Sequence, residues 1–169
     1  MEFELYNYSN TPYFTLNNTC SYARLVDIHD GDTITVIIFI FNHPFKFHLR
    51  LAGIDTCEIN NKHSELKIKA MQARNRVLQL ATNNAVSTYT NKKDIIQELD
   101  NQVYLLWIEC LDFDKFGRVL ANVYTSQDKK ICLSTTLLDE HLAYPYGGKT
   151  KLTQEEQLEY LNDTSIKNN

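Results

Sequence analysis

The feature that most constrains how this chain can fold is the segment 27–58, which carries acidic residues near both of its ends. Asp30-Gly31-Asp32-Thr33 stands near the start of the segment, and Arg50-Leu-Ala-Gly-Ile-Asp55-Thr56-Cys57-Glu58 closes it. The two runs between them are rich in β-branched and aromatic residues, which predicts a pair of antiparallel strands. That pairing brings Asp32 beside Asp55, and two neighbouring carboxylates repel each other unless a cation lies between them. The segment therefore predicts a site for a hard cation such as Ca²⁺, which prefers oxygen ligands.

Five strands and three helices are predicted along the chain. Asp30-Gly31 predicts a hairpin with a primed turn, in which the glycine supplies a positive φ. Apolar residues recur at helical spacing after Ser64, and the Thr153-to-Glu156 spacing is typical of a capping box. We expect an α+β protein with a mainly β core, a five-stranded OB-fold β-barrel with three helices, and we expect Trp107 in the core. The predicted strands are 22–28, 33–41, 45–51, 103–111 and 119–124, and the predicted helices are 64–81, 134–141 and 153–161.

One folded domain is expected, because 169 residues are enough to bury one core. Residues 1–21 are interpreted as an extended N-terminal arm, and residues 22–162 as the barrel domain. The polar, Asn-rich stretch 83–102 is interpreted as a long loop or insertion with room for a short helix over 94–99. Residues 163–169 are expected to form a disordered tail.

The formal net charge of −4 argues against a broad basic surface, so any basic contact with nucleic acid must be local. No apolar run is long enough to span a membrane. No secretory signal opens the sequence, so we expect an intracellular protein, with a removed leader or another secretion route left open. We also expect a monomer. The four cysteines lack metal-finger spacing and are interpreted as reduced structural thiols.

Six polar residues form the candidate catalytic set. Phosphodiester hydrolysis needs a cation that activates water, a carboxylate that takes its proton, and guanidinium groups that stabilise the transition state. Each motif alone is weak, because Asp-Gly is a general turn signal. Their order, with each motif at the end of a predicted strand, is specific. The set is Asp32, Arg50, Asp55, Thr56, Glu58 and Arg118.

Over residues 22–161, the sequence resembles the staphylococcal (micrococcal) nuclease family. The resemblance is carried by the two motifs above and by Asp114-Lys115-Phe116-Gly117-Arg118-Val-Leu-Ala. It implies an OB-fold barrel with three helices. It also implies a Ca²⁺-dependent nuclease that acts on DNA and RNA with little sequence preference and leaves 3′-phosphates and 5′-hydroxyls.

The resemblance implies a metal site as well. Asp32 and Asp55 would bind Ca²⁺ through their side chains, and Thr56 through its backbone carbonyl. Asp30 would support the metal-bound waters or the backbone of the turn.

Catalytic and nucleotide-contacting roles follow from the same resemblance. Glu58 would act as general base, Arg50 would bridge the scissile phosphate, and Arg118 would stabilise the transition state and the leaving group. Lys115 would touch a terminal phosphate, and two tyrosines would contact the nucleotide unless they only pack their loop. These tyrosines are Tyr144 and Tyr146.

Three features depart from the family pattern. Cys57 stands where the family usually has proline, which predicts a modest loss of activity and a thiol sensitive to alkylation or soft metals. The acidic net charge predicts a weaker grip on long polymers and a flatter salt dependence. The stretch 83–102 has no assigned role.

Other functions are also compatible with the sequence. A catalytically silent module could keep the barrel and bind nucleic acid or a protein partner, and a generic barrel could bind Ca²⁺ or oligonucleotides without cleavage. Zinc is disfavoured, because the nearby histidines lack paired ligand spacing. These histidines are His29, His48 and His63.

Overall fold

Five strands close into a barrel in the computed structural model, which describes residues 1–88 and 91–163. Together with two short strands outside the barrel, the strands of the described residues are β1 (Cys20–Ile28), β2 (Thr33–Ile40), β3 (His43–Leu51), β4 (Ile54–Asp55), β5 (Leu105–Phe113), β6 (Val119–Tyr124) and β7 (Tyr144–Pro145). Around the barrel the order is β1, β2, β3, β6, β5, and β5 pairs again with β1. The short strands β4 and β7 form a separate antiparallel pair beside the barrel.

Alternating side chains of the strands fill the barrel interior. Ile34 and Val36 of β2 and Leu49 and Leu51 of β3 are fully buried, as expected where a small barrel is filled by its own side chains. The contact between β3 and β6 is parallel, with Arg50 opposite Leu120, whereas the other barrel pairs are antiparallel. The predicted α+β class and five-stranded OB-type barrel are confirmed.

Four α-helices, rather than three, surround the barrel in the described residues. Helix α4 begins with the predicted capping box, in which Thr153 accepts from the Glu156 amide and Glu156 accepts from the Thr153 amide. Helix α1 begins at Ser64, so the preceding residue, His63, is its N-cap instead of Ser64. The helices are α1 (Ser64–Ala81), α2 (Lys92–Asn101), α3 (Leu133–Asp139) and α4 (Gln154–Asn162).

Helix α2 corrects the interpretation of 83–102 as a long loop. The helix is longer than the short one allowed at 94–99, and Asn91 caps it by accepting a hydrogen bond from the Asp94 amide at 3.0 Å. Ile95 and Leu99 are fully buried in the main core, and α2 packs against β1. The spacing of four residues between these two side chains places them on one helix face, so the segment contributes to the fold.

The predicted core position of Trp107 is wrong. Trp107 is half-buried on the outer face of β5, where its ring meets Tyr22 edge-on at 5.1 Å between centroids. The inner face of β5 carries Leu106, Ile108 and Cys110. Glu109 shares the outer face with Trp107, so strand alternation already contained the signal for this assignment.

Gly31 is required by close packing and not by the positive φ of a primed turn. It is absent from the residues with positive φ, which corrects the predicted turn geometry. A Cβ placed on Gly31 would lie 2.6 Å from the Cβ of Ala73 in α1 and 3.0 Å from Cγ2 of Thr56. The glycine therefore allows helix α1 to approach the turn that carries Asp32.

The N-terminal arm contacts the core through an aliphatic residue. It begins with a 3-10 helix at Glu2–Leu5, and its aromatic residues Tyr8, Tyr13 and Phe14 are exposed. Leu16 is buried in the main core. The predicted tail 163–169 lies, beyond its first residue, outside the described residues. Every helix in the described ranges is too short or too polar to cross a membrane.

Candidate active site

The strand register brings the two acidic ends of the 27–58 segment together. Thr33 at the start of β2 lies opposite Arg50 near the end of β3, and the Leu51 amide donates to the Asp32 carbonyl at 2.8 Å. Asp55 follows on β4, which is fixed in place by its pairing with β7. Antiparallel pairing thus places Asp32 and Asp55 on either side of Arg50.

Arg50 bridges the two carboxylates with its guanidinium fork. Its Nη1 donates to Asp32 Oδ2 at 2.5 Å, and its Nη2 donates to Asp55 Oδ1 at 2.7 Å and to the Ile54 carbonyl at 3.1 Å. All three charged side chains are buried, with 7% or less of each exposed. A guanidinium held between two carboxylates in this way is fixed in position and remains charged.

Asp32 is also hydrogen-bonded to residues other than Arg50. Thr33 Oγ1 donates to Asp32 Oδ1 at 2.8 Å, and the Thr56 amide lies 3.3 Å from Asp32 Oδ2. Asp30 Oδ1 accepts from the Asp32 amide at 3.4 Å. Asp30 therefore contacts the backbone of the turn, and the Thr56 amide contacts Asp32.

The two carboxyl groups experience different environments. Burial raises the pKa of Asp32 to about 8, and the negative charge of Asp30 adds to this effect. Burial also acts to raise the pKa of Asp55, but hydrogen bonds, first of all from Tyr144, outweigh it and lower the pKa. The charge of Arg50 acts to lower the pKa of Asp32 but does not outweigh burial, and a further cation there would favour the ionised form of Asp32.

The tyrosine predicted to contact nucleotide at position 144 is instead an internal support for Asp55. Tyr144 is fully buried, and its hydroxyl donates to Asp55 Oδ2 at 2.5 Å. Burial and the bond to Asp55 raise the pKa of Tyr144, so the phenol remains a donor. Tyr146 is half-buried and lies at the surface, with the Arg50 guanidinium carbon 5.4 Å from its ring centroid. In this structure Tyr146 can meet a ligand, whereas Tyr144 cannot.

We expect Tyr144→Phe to lower the free energy of unfolding by about 1–3 kcal/mol, because it leaves a buried carboxylate oxygen without its donor. Urea denaturation measures the change. Tyr146→Phe is the matched control: its hydroxyl donates at 3.2 Å to the exposed carbonyl of Lys149, so its loss is expected to cost less than about 0.5 kcal/mol. Equal effects of the two substitutions would contradict this role of Tyr144.

Arg118 is aimed by the turn between β5 and β6. Asp114 Oδ1 accepts from the amides of Phe116 and Arg118, and Asp114 Oδ2 accepts from Arg118 Nε at 2.7 Å. Gly117 allows the turn to close because its φ is +79°, a conformation that side chains disfavour. Arg118 Nη1 lies 3.5 Å from Thr33 Oγ1, which itself bonds Asp32. The second guanidinium therefore lies one hydrogen-bonding residue away from the carboxylate cluster.

A cavity of about 470 Å³ opens beside this cluster. Arg50 and Arg118 both line it, so the two predicted phosphate-binding residues face the same space. Its rim carries Tyr146 and the exposed ring of Phe116, with Lys115 Nζ 5.1 Å and Arg118 Cζ 5.5 Å from the Phe116 centroid. Phe116 had no role assigned from sequence, although it lies within the third motif. Cations beside exposed aromatic faces can bind anionic, ring-containing ligands.

Glu58 lies at the exposed side of the cluster and is bound by a lysine that sequence reasoning missed. Lys151 Nζ lies 2.8 Å from Glu58 Oε1 and 3.2 Å from Asp55 Oδ1. Glu58 is 63% exposed, whereas Asp55 is buried. Lys151 belongs to no motif and is 93 residues from Glu58 in sequence, so no local pattern could have indicated the contact.

The oxygen-rich donor set fits a hard cation such as Ca²⁺. Asp32 and Asp55 bring carboxylate oxygens close together, and the Thr56 carbonyl would be a further oxygen ligand of the kind that this ion prefers. Within residues 1–88 and 91–163, no three acidic, histidine or cysteine side chains form a ready-made metal cluster. The remaining ligands of such an ion must therefore be carbonyls and water, which Ca²⁺ accepts because it takes six to eight oxygens.

Cys57 does not have the reactive environment expected of it. Its side chain is buried beside Leu66 and Tyr144 in a small second core. Burial, with a contribution from Asp55, raises the pKa of the thiol to about 11. Because alkylation requires an accessible thiolate, this burial argues against the predicted sensitivity of Cys57.

The chain forms a small OB-type barrel, and its carboxylate–arginine cluster lies where β2 begins and β3 ends. These features define a domain of the nuclease-type fold. A family model described as staphylococcal nuclease homologue matches residues 48–168, which is more than half of the chain. The chain therefore belongs to the staphylococcal nuclease homologue family, as the motifs predicted. The matched range begins inside β3 and does not include Asp32, so only the structure places Asp32 in the site. A comparison with curated proteins found no match.

Proposed function

We propose that this protein is a Ca²⁺-dependent nuclease that hydrolyses phosphodiester bonds of DNA and RNA with low sequence specificity. The main support is the arrangement of Asp32, Arg50 and Asp55 as a buried cluster beside a cavity that Arg118 also lines. When bound to the carboxylates, Ca²⁺ supplies positive charge that lowers the pKa of water and neutralises phosphate.

The two guanidiniums supply the electrostatic part of the reaction. Arg50 is held rigidly and lines the cavity, so a phosphate there meets a guanidinium that needs no reorganisation. Arg118 is half-buried, and it binds the second phosphoryl oxygen or the leaving oxygen once the phosphate competes with Asp114. Charge that develops in the transition state is thereby stabilised from two directions.

Glu58 supplies the base. Its carboxylate is exposed and lies next to the cluster, so it can accept the proton of an attacking water. Attack by water on phosphorus breaks the bond to the 5′-oxygen, which takes up a proton from solvent, and leaves a 3′-phosphate and a 5′-hydroxyl. Since the nucleophile is water and not a ribose 2′-hydroxyl, the mechanism serves DNA and RNA alike.

Low sequence specificity follows from the composition of the cavity rim. Phe116 and Tyr146 offer aromatic faces, and any base can stack on such a face. Lys115 and the two arginines contact phosphate, which carries no sequence information. The basic contacts that this proposal assigns to phosphate are local to this site, in agreement with a chain whose net charge is −4.

Hydrolysis of single- and double-stranded DNA and of RNA, each with Ca²⁺, with Mg²⁺ and with chelator, tests this function. We expect cleavage of all three substrates with Ca²⁺, loss of cleavage with chelator, and products with 3′-phosphate ends. Binding without cleavage in Ca²⁺ would instead identify the catalytically silent module. Cleavage that persists in chelator would contradict the role of the ion.

A further inference from the structure

Three protein donors occupy Asp55, and one of them differs from the others. Asp55 Oδ1 accepts from Arg50 and lies 3.2 Å from the Lys151 ammonium, while Asp55 Oδ2 accepts from Tyr144. Arg50 and Tyr144 are buried and fixed by the barrel and by the pairing of β4 with β7. Lys151 is 48% exposed and lies in the segment that joins β7 to α4. Of these three donors, Lys151 is the one whose side chain can leave without disturbing the core.

The same ammonium also holds Glu58. Its Nζ lies 2.8 Å from Glu58 Oε1 and 3.2 Å from Asp55 Oδ1. Lys151 therefore spans the gap between a buried and an exposed carboxylate. That gap lies at the edge of the oxygen cluster formed by Asp55 and Asp32. A divalent ion that approaches Asp55 meets the positive charge of Lys151 at this position.

We infer that Lys151 is a positioning residue that sets the cation affinity of the site by occupying the gap between Asp55 and Glu58. On binding of a divalent ion, the ammonium leaves Asp55 and releases Glu58, whose carboxylate then becomes available to water. The inference rests on the proposed function, because it concerns the same carboxylates. Lys151 lies outside all three sequence motifs, so the motifs assign it no role.

Calcium binding to the full chain without nucleic acid tests this inference. Isothermal titration with CaCl₂ is expected to show about two- to fivefold tighter binding for Lys151→Met and Lys151→Gln, the range that competition from a half-exposed ion pair allows. Lys151→Arg keeps the charge and is expected to bind as the unaltered protein does. Lys149→Met is the matched control, because it removes the same charge from an exposed position two residues away.

Unchanged or weaker Ca²⁺ binding in the neutral variants at position 151 would overturn the inference. Equal tightening in Lys149→Met would also overturn it, since net charge alone would then explain the effect. Absence of Ca²⁺ binding in every protein would show that Lys151 is not what limits affinity. Circular dichroism on each variant confirms that the fold is retained, and the two neutral variants at position 151 provide independent tests.

The outcome is separable from that of the proposed function. Tighter Ca²⁺ binding without nucleic-acid cleavage would support the role of Lys151 and refute the nuclease. Ca²⁺-dependent cleavage with affinity unaffected at position 151 would support the nuclease and refute the role of Lys151.

Discussion

Arg50→Met is expected to lower the free energy of unfolding by about 3–5 kcal/mol, the usual result of removing one partner from a buried ion pair. Without the guanidinium, Asp32 and Asp55 face each other in a buried site without the charge that now separates them. We also expect cleavage to fall by about 10²–10³-fold, because a fixed donor to the transition state is lost. Urea denaturation in chelator and initial rates in Ca²⁺ measure the two effects.

Arg118→Met is the matched control for this prediction. Arg118 is 28% exposed and pairs with Asp114 at the surface, so its loss is expected to cost less than about 1 kcal/mol of stability. Its loss of activity should be similar to that of Arg50→Met, since both groups line the same cavity. If both substitutions destabilise the protein equally, the buried bridge formed by Arg50 is not a structural element.

Calcium should rescue Arg50→Met more than it stabilises the unaltered protein. A ligand that binds only the folded state stabilises it by an amount that rises with the ratio of its concentration to its dissociation constant. In the variant, the two carboxylates have lost their shared cation, so a bound ion relieves more repulsion there. Equal stabilisation of both proteins by Ca²⁺ would argue that the ion binds elsewhere.

Glu58→Gln is expected to reduce kcat by a factor on the order of 10²–10⁴, the usual contribution of a general base. The side chain is 63% exposed, so stability should change by less than about 0.5 kcal/mol. Single-turnover rates on DNA and RNA in saturating Ca²⁺ separate the chemical step from metal binding. Glu159→Gln, at an exposed position on α4, is the control and should leave the rate unchanged.

A binding module would give the opposite result. It would retain its affinity for nucleic acid in Glu58→Gln and would show no rate to lose. A variant that cleaves as fast as the unaltered protein would remove Glu58 from the mechanism while leaving the arginines in place.

Local sequence patterns were sufficient for much of the barrel and for the centre of the site. Strand β6 runs from Val119 to Tyr124 as predicted, and the capping box at Thr153 starts α4. The meeting of Asp32, Arg50 and Asp55 was also predictable, because a single hairpin of fixed direction brings these neighbours together. In each case the determining interactions lie within a short stretch of chain.

The sequence by itself determined the family, the barrel strands and the charged residues of the three motifs. Only the tertiary structure decided that Tyr144 supports Asp55, that Lys151 bridges Asp55 and Glu58, and that Gly31 makes room for α1. The physical reason is distance along the chain: Tyr144 lies 89 residues from Asp55, and Lys151 lies 93 residues from Glu58. Periodicity and capping describe neighbours in sequence, whereas these contacts exist only after the barrel has closed and β7 has paired with β4.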